Sequence, residues 1–246
     1  MEVLYRSGNA RSRDFWEVYG GFIFGEVEYV WLEELTEREF LHVKKWRSGR
    51  EAWLLLYFPV YLILYLTAEH FITSDYWVSY CAMDAWVPFV KEFVYAYILW
   101  FPYMVGATLW LFVRDRRAFV RYAVFSMIGM TACYVIYFLF PSGQELRPDS
   151  VEGSGLAAMI MRIIYSADTN TNVFPSMHVV GTIIAMAGLW DTHSLSRAVK
   201  WMLMIAGLFI IASTVFVKQH SVMDVISGGA LCAVVYPLVY RLLIKE

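Results

Sequence analysis

Three polar groups stand out in an otherwise apolar chain: "FPSGQELRPD" at 140–149, "FPSMH" at 174–178 and "KQHSVMD" at 218–224. His220 and Asp224 are four residues apart, so on a helix they share one face and can hydrogen-bond. A carboxylate on one imidazole nitrogen fixes the tautomer and makes the other nitrogen a better base or nucleophile. That arrangement suits phosphoryl transfer through a covalent phosphohistidine. A second histidine on the far side of the phosphorus, His178, would protonate the leaving oxygen. The charge on the equatorial phosphoryl oxygens then needs cations and donors. Arg147 and Lys218 supply charge, Ser176 supplies a hydroxyl, and the first amides of a helix opening at Ser-Met-His supply a helix-end anion site.

Taken singly, each group has an ordinary reading. An isolated histidine at a helix end is more often structural than catalytic, and an isolated Arg-Pro more often anchors a chain at an interface. Asp224 is sharper, because a carboxylate followed by "VISGGALCAVVYPLVY" needs a partner or a water-filled cavity. The weight rests on all three groups reaching the same side of a membrane.

The elements that would bring them there are transmembrane helices. Of the 246 residues, 59% are hydrophobic and 18% aromatic, with a mean hydropathy of +0.51, well above what a water-soluble core requires. Six stretches approach the length of a span: 52–71, 93–113, 121–140, 177–192, 201–217 and 221–243. The fourth is long enough only if it includes the Ser-Met-His group. The fold class expected is therefore all-α, a polytopic bundle of six transmembrane helices with an N-terminal amphipathic cytoplasmic segment. Residues 1–51 form that segment and 52–246 the membrane domain.

Lysine and arginine fix the expected orientation. Arg38, Lys44, Lys45, Arg47 and Arg50 precede the first span. Arg114, Arg116, Arg117 and Arg121 lie between the second and third, Arg197 and Lys200 between the fourth and fifth, and Arg241 and Lys245 in the tail. Threading six spans puts all of these on one side, the cytoplasm, with both termini. The opposite loops carry only Lys91, Arg147, Arg162 and Lys218, so His178 and His220 face outward, as expected of a multi-pass plasma-membrane protein. Thr36 and Glu39 form a capping-box pattern ahead of Phe40, Leu41, Val43 and Trp46. The helix it predicts lies either on the inner leaflet or against the cytoplasmic ends of the spans.

Other features exclude function classes. A net charge of -2 supplies no basic face for nucleic acid. Cys81, Cys133 and Cys232 are too far apart for a paired-cysteine zinc site or a disulfide framework. The first fifty residues carry charge throughout and lack a signal-peptide pattern, so the spans themselves are expected to target the chain. Glu69 and His70 end the first span on the outer side, either lining a cavity or resting at the interface. Residues 153–165 are too short to span and are expected to form a helix over the outer mouth.

In these residues the chain resembles the type 2 phosphatidic acid phosphatase superfamily of integral-membrane lipid phosphatases and phosphotransferases. Arg147-Pro148 looks like its first signature, Pro175-Ser176-Met177-His178 its second, and Ser213-Thr214 followed by His220 and Asp224 its third. The resemblance covers about residues 120–243. It implies that His220 is the nucleophile, Asp224 its orienting carboxylate and His178 the general acid. Arg147, Ser176 and the backbone at Met177 would hold phosphate, and no metal or other cofactor is implied. The departures are Phe140 in place of a lysine, Met177 in place of a glycine and Thr214 in place of an arginine, with Lys218 the candidate for partial compensation. "FPSMH" and the ending His-x3-Asp-Val look more like the inositol phosphorylceramide synthase branch. The function expected is hydrolysis of a membrane lipid phosphate or pyrophosphate on the outer leaflet. The alternatives are head-group phosphotransfer, a non-catalytic lipid binder or transporter, and a zinc site built from His178, His220 and Asp224.

Overall fold

The computed structural model describes residues 50–72 and 75–243. The predicted N-terminal helix around Thr36 and Glu39, and all of residues 1–49, lie outside the described residues. From Arg50 a tight 3-10 stretch to Leu56 runs into α1 (Tyr57–Phe71). α2 (Val94–Ile98) and α3 (Trp100–Arg114) follow, then α4 (Arg116–Leu139), α5 (Leu156–Ala167), α6 (Met177–Asp191), α7 (Arg197–Phe216) and α8 (Val222–Pro237). Pro237 has no N–H to continue the regular ladder, and the chain goes on to Leu243 as a π-helical turn.

Five of these helical stretches are long and apolar enough to cross a membrane: Ala52–Phe71, Lys91–Arg114, Arg116–Leu139, Arg197–Phe216 and Val222–Leu242. Their outer surfaces are apolar, with Leu62, Ile63, Leu66, Phe101, Leu109, Leu208 and Phe209 all more than half exposed. An exterior of this kind suits lipid rather than water. The chain is thus a multi-pass membrane protein in its helices and its surface.

The fourth expected span, α6, is only 15 residues long, about 22 Å at helical rise, against a hydrocarbon thickness of about 30 Å. It can be short because it is the buried centre of the bundle, packed against α3, α4, α7 and α8. Val179, Val180, Thr182, Ile184 and Ala185 are all buried. Small residues let the neighbours come close: a Cβ at Gly181 would lie 2.9 Å from Met130 Cε, and one at Gly188 2.8 Å from Leu111 Cδ1.

Short polar side chains mark the helix starts, as unsatisfied first-turn amides require. Asp115 accepts from the Ala118 amide at 3.1 Å to begin α4, and Ser196 from Val199 at 3.4 Å to begin α7. At the opposite end of the bundle the connections are stitched together. Trp77–Val78 (β1) pairs in parallel with Ser142–Gly143 (β2), and Gly143 bridges Thr171. This gathers the segments after α1, α4 and α5 at one end. The helix expected at 153–165 is α5. It packs Ala157, Ala158 and Met161 against Val94, Tyr97 and Val217.

Candidate active site

Two serine caps and one backbone bond bring the histidines together. Ser176 begins α6, its Oγ accepting from the Val179 amide at 3.4 Å. Ser221 begins α8 in a capping box, its amide donating to Asp224 Oδ2 at 2.8 Å. The Ser176 amide then donates to the Asp224 carbonyl at 3.1 Å, joining the two helix starts. Ahead of α8, Lys218 takes the left-handed conformation at φ 54°, and the amides of Gln219 and His220 both bond the Thr214 carbonyl. That reversal swings His220 back over the helix end.

The result is a convergent pair. The rings of His178 and His220 are 5.6 Å apart between centroids. His178 packs on Tyr97 and on Trp100, each with a centroid distance of 4.6 Å, and its carbonyl accepts from Trp100 Nε1 and Thr182 Oγ1. His220 Nδ1 lies 3.5 Å from Asp224 Oδ2. That is an ion-pair separation rather than a formed hydrogen bond, and Nδ1 has no hydrogen-bond partner among the described residues. Asp224 is fully buried, and Ser79 Oγ donates to its Oδ1 at 2.5 Å. With Nδ1 turned to Asp224, Nε2 is the free nitrogen of His220.

Both histidines and Met177 line a cavity of about 350 Å³. Its walls include Tyr61, Tyr65, Tyr97, Trp100, Phe101 and Tyr137, with polar contributions from Glu69, Asp168, Thr169, Asn172 and Gln219. Among the described residues the lining includes no lysine or arginine side chain.

The other expected phosphate ligands are arranged differently. Arg147 lies one side chain behind the cavity, donating to the carbonyls of Asp168 and Thr169 and to Gln219 Oε1, with its guanidinium 4.7 Å from the Tyr165 ring centre. Its Nε is buried and unpartnered among the described residues. Ser176 is buried and serves as a cap. Lys218 turns away: its Nζ donates to the carbonyls of Asp84 and Val87 at 3.1 and 2.6 Å. Burial pushes that ammonium below the usual lysine range, against the pull of Asp84. Thr214 bonds its own helix at Ile211, and Phe140 is 62% exposed, so neither position supplies a cation to the cavity. Among the described residues no three His, Cys, Asp or Glu side chains are grouped to hold a metal ion.

Asp168 and Asp84 carry no local signal in the sequence, whereas Glu69 is expected from the sequence either to line a cavity or to rest at the interface. Asp168 accepts from Tyr65 at 2.9 Å and Gln219 at 3.0 Å. Burial holds its carboxyl above the usual aspartate range, with Glu69 pushing the same way and Tyr65, Arg147 and His220 opposing. Glu69 accepts from Thr169 Oγ1 at 2.6 Å and Asn172 Nδ2 at 3.0 Å, which gives the carboxylate at the end of α1 a place in the cavity wall. Asp84 accepts from Ser221 Oγ at 2.6 Å, the Val222 amide at 2.8 Å and the Cys81 amide at 2.7 Å.

The arrangement sets two imidazoles with ring centroids 5.6 Å apart on the wall of one cavity, with a buried carboxylate beside Nδ1 of one of them. The first amides of α6 add donors that have no intrahelical partner. No family model, curated protein or solved structure matches the chain.

Proposed function

We propose that this chain is an integral-membrane lipid phosphatase of the type 2 phosphatidic acid phosphatase kind, acting on a lipid phosphate or pyrophosphate at the outer leaflet. One observation carries the reading: the two imidazoles face each other at 5.6 Å while Asp224 sits beside the opposite nitrogen of His220. His220 Nε2 attacks phosphorus, the bond from phosphorus to the lipid oxygen breaks, and His178 gives its proton to that oxygen. Water then attacks the phosphohistidine, His178 takes a proton from it, the P–N bond breaks, and inorganic phosphate leaves. A protonated His178 among Tyr97 and Trp100 needs a counter-charge, which the bound phosphate provides.

The test is chemical. Purified protein is incubated with phosphatidate, phosphatidylglycerophosphate or polyprenyl pyrophosphate and quenched in alkali. The expected product is an acid-labile, alkali-stable phosphate on the peptide bearing His220, with free phosphate released, both lost in His220→Ala. Full activity in that variant refutes the reading.

Transfer to a hydroxyl acceptor is the second reading, favoured by the cavity wall. Glu69, Asp168, Asn172 and Gln219 offer acceptor oxygens suited to hydroxyl groups, and about 350 Å³ exceeds what one phosphate needs. In that case an added acceptor alcohol diverts product away from free phosphate. The lack of a lining cation favours a third, a lipid binder without chemistry, which retained lipid binding with no turnover under any acceptor would support.

A further inference from the structure

The segment between α1 and α2 reaches the site from behind. Ser79 and Asp84 are buried, and both spend their side chains on the start of α8. Ser79 Oγ donates to Asp224 Oδ1 at 2.5 Å. Asp84 takes the Ser221 hydroxyl on Oδ2 and the Val222 amide on Oδ1. The backbone of the same segment receives Lys218 Nζ at Asp84 and Val87. His220 is thus bracketed: Lys218 before it and Ser221, Val222 and Asp224 after it are all tied to residues 79–87.

A brace of this kind has electrostatic and geometric consequences together. Asp84 places a second carboxylate behind Asp224, at a helix start where negative charge is favoured. It also fixes Ser221, whose amide holds Asp224 Oδ2. Neither residue touches the cavity, so neither meets substrate. We infer that Asp84 and Ser79 are positioning residues for the histidine nucleophile, setting through Ser221 and Asp224 where His220 Nδ1 finds its carboxylate.

The inference rests on His220 being the reactive imidazole, so its readout is chosen to work without substrate. Diethylpyrocarbonate acylates neutral imidazole, and mass spectrometry separates the peptides of His178 and His220. Full-length protein in lipid nanodiscs is treated across a pH series as wild type, Asp84→Asn, Asp84→Glu and Ser79→Ala. Charged and titratable groups around His220 are Asp224 on α8, His178 on α6, Asp168 after α5, Arg147 behind Gln219, Lys218 on its own loop and Asp84 behind Ser221. Only Asp84 changes in the key variant. Removing its charge and loosening Asp224 both disfavour the imidazolium.

The result expected is that Asp84→Asn makes His220 reactive at lower pH than in wild type, that Asp84→Glu restores the wild-type midpoint, and that His178 is unmoved in both. Ser79→Ala moves His220 in the same direction by less, because the capping box remains. With phosphatidate turned over, kcat falls about 10- to 100-fold in Asp84→Asn, the scale of supporting groups around a reactive residue, and KM stays within about twofold. An unchanged His220 midpoint in both Asp84→Asn and Ser79→Ala overturns the inference. So does a parallel change in His178 and His220, which marks a loosened fold. If wild type turns over none of the lipid phosphates while Asp84→Asn still shifts His220, the brace stands and the phosphatase reading falls.

Discussion

Gly228 and Gly229, side by side in α8, offer a controlled measure of how tightly α6, which carries His178, is held against α8, which follows His220. A Cβ at Gly228 would lie 3.2 Å from the Ser176 carbonyl oxygen and 3.2 Å from Val179 Cβ and Cγ1, whereas one at Gly229 meets nothing within 4 Å. Ser176 is the cap of α6 and the residue whose amide bonds Asp224. A methyl at 228 therefore presses on the contact that brings His178 to His220. Replacing glycine by alanine inside a helix gains about 0.5–1 kcal/mol at either position, and this gain cancels in the comparison. What remains is the overpacking cost at Gly228, about 1–3 kcal/mol. For a chain of this size each kcal/mol moves the melting temperature by about 2–4 °C, so Gly228→Ala should melt about 2–12 °C below Gly229→Ala. Thermal unfolding in a single detergent, followed by a thiol-reactive dye reporting on buried Cys133 and Cys232, measures it. Turnover should fall up to about tenfold in Gly228→Ala alone, since catalytic geometry tolerates only a fraction of an ångström. Equal melting temperatures for the two variants would show that α6 and α8 do not meet at Ser176.

At the far end of the bundle, Arg121 pairs with Asp191 at 3.1 Å with its side chain 5% exposed. Arg121→Ala should cost about 1–2 kcal/mol, because the stranded Asp191 carboxylate is partly exposed, and a melting temperature equal to wild type would refute that cost. Burial raises the Asp168 carboxyl above its ordinary value. Stability from this group is full below about pH 4, the unfolded value, and is lost as pH rises through the raised native value. Asp168→Asn should flatten that decline in a melting-temperature series, and an unchanged slope sinks the assignment. For orientation, Glu145→Cys and His193→Cys in a Cys81→Ser background should react oppositely with a membrane-impermeant maleimide in intact cells. Residue 145 labels from outside and 193 only after permeabilisation, and the reverse pattern inverts the topology.

The helices were legible because their signals are local. Apolar runs of span length at 52–71 and 93–113 became Ala52–Phe71 and Lys91–Arg114, and the helix opening at Ser-Met-His is α6, capped by Ser176. His220 and Asp224 do not share a helix face as their spacing suggested: His220 precedes α8, and the turn at Lys218 with the Ser221 cap leaves Nδ1 3.5 Å from Asp224 Oδ2, short of a hydrogen bond. Direction was less legible. Lys218 counted as a cation near the site, yet its left-handed backbone aims Nζ at Asp84 and Val87. Arg147 is near the cavity, but carbonyls and Gln219 take the donors assigned to phosphate. Ser79 and Asp84 could not be found from spacing, because their partners lie 145 and 137 residues away. The two-residue strands have no alternating pattern to announce them. The shortness of α6 becomes intelligible only once its burial is known, since a helix enclosed by protein need not match the lipid.

The distribution of charge around the cavity constrains how any phosphate would be held there. Glu69 and Asp168 face the cavity, Asp224 lies behind His220, and among the described residues the guanidinium of Arg147 stands behind Asp168 and Gln219. A dianion entering this space would meet carboxylates before it met a guanidinium. Burial raises the Asp168 carboxyl above its ordinary value, with Tyr65, Arg147 and His220 pulling the other way. A proton on Asp168 would remove one of the negative charges opposing the guanidinium, which reaches the cavity across Gln219. On the proposed phosphatase reading, a protonated His178 and the first amides of α6 would supply the rest of the positive side. Asp168 and Arg147 would then act as a coupled pair, the proton on one setting the field of the other, at a cavity whose wall carries no lysine or arginine among the described residues.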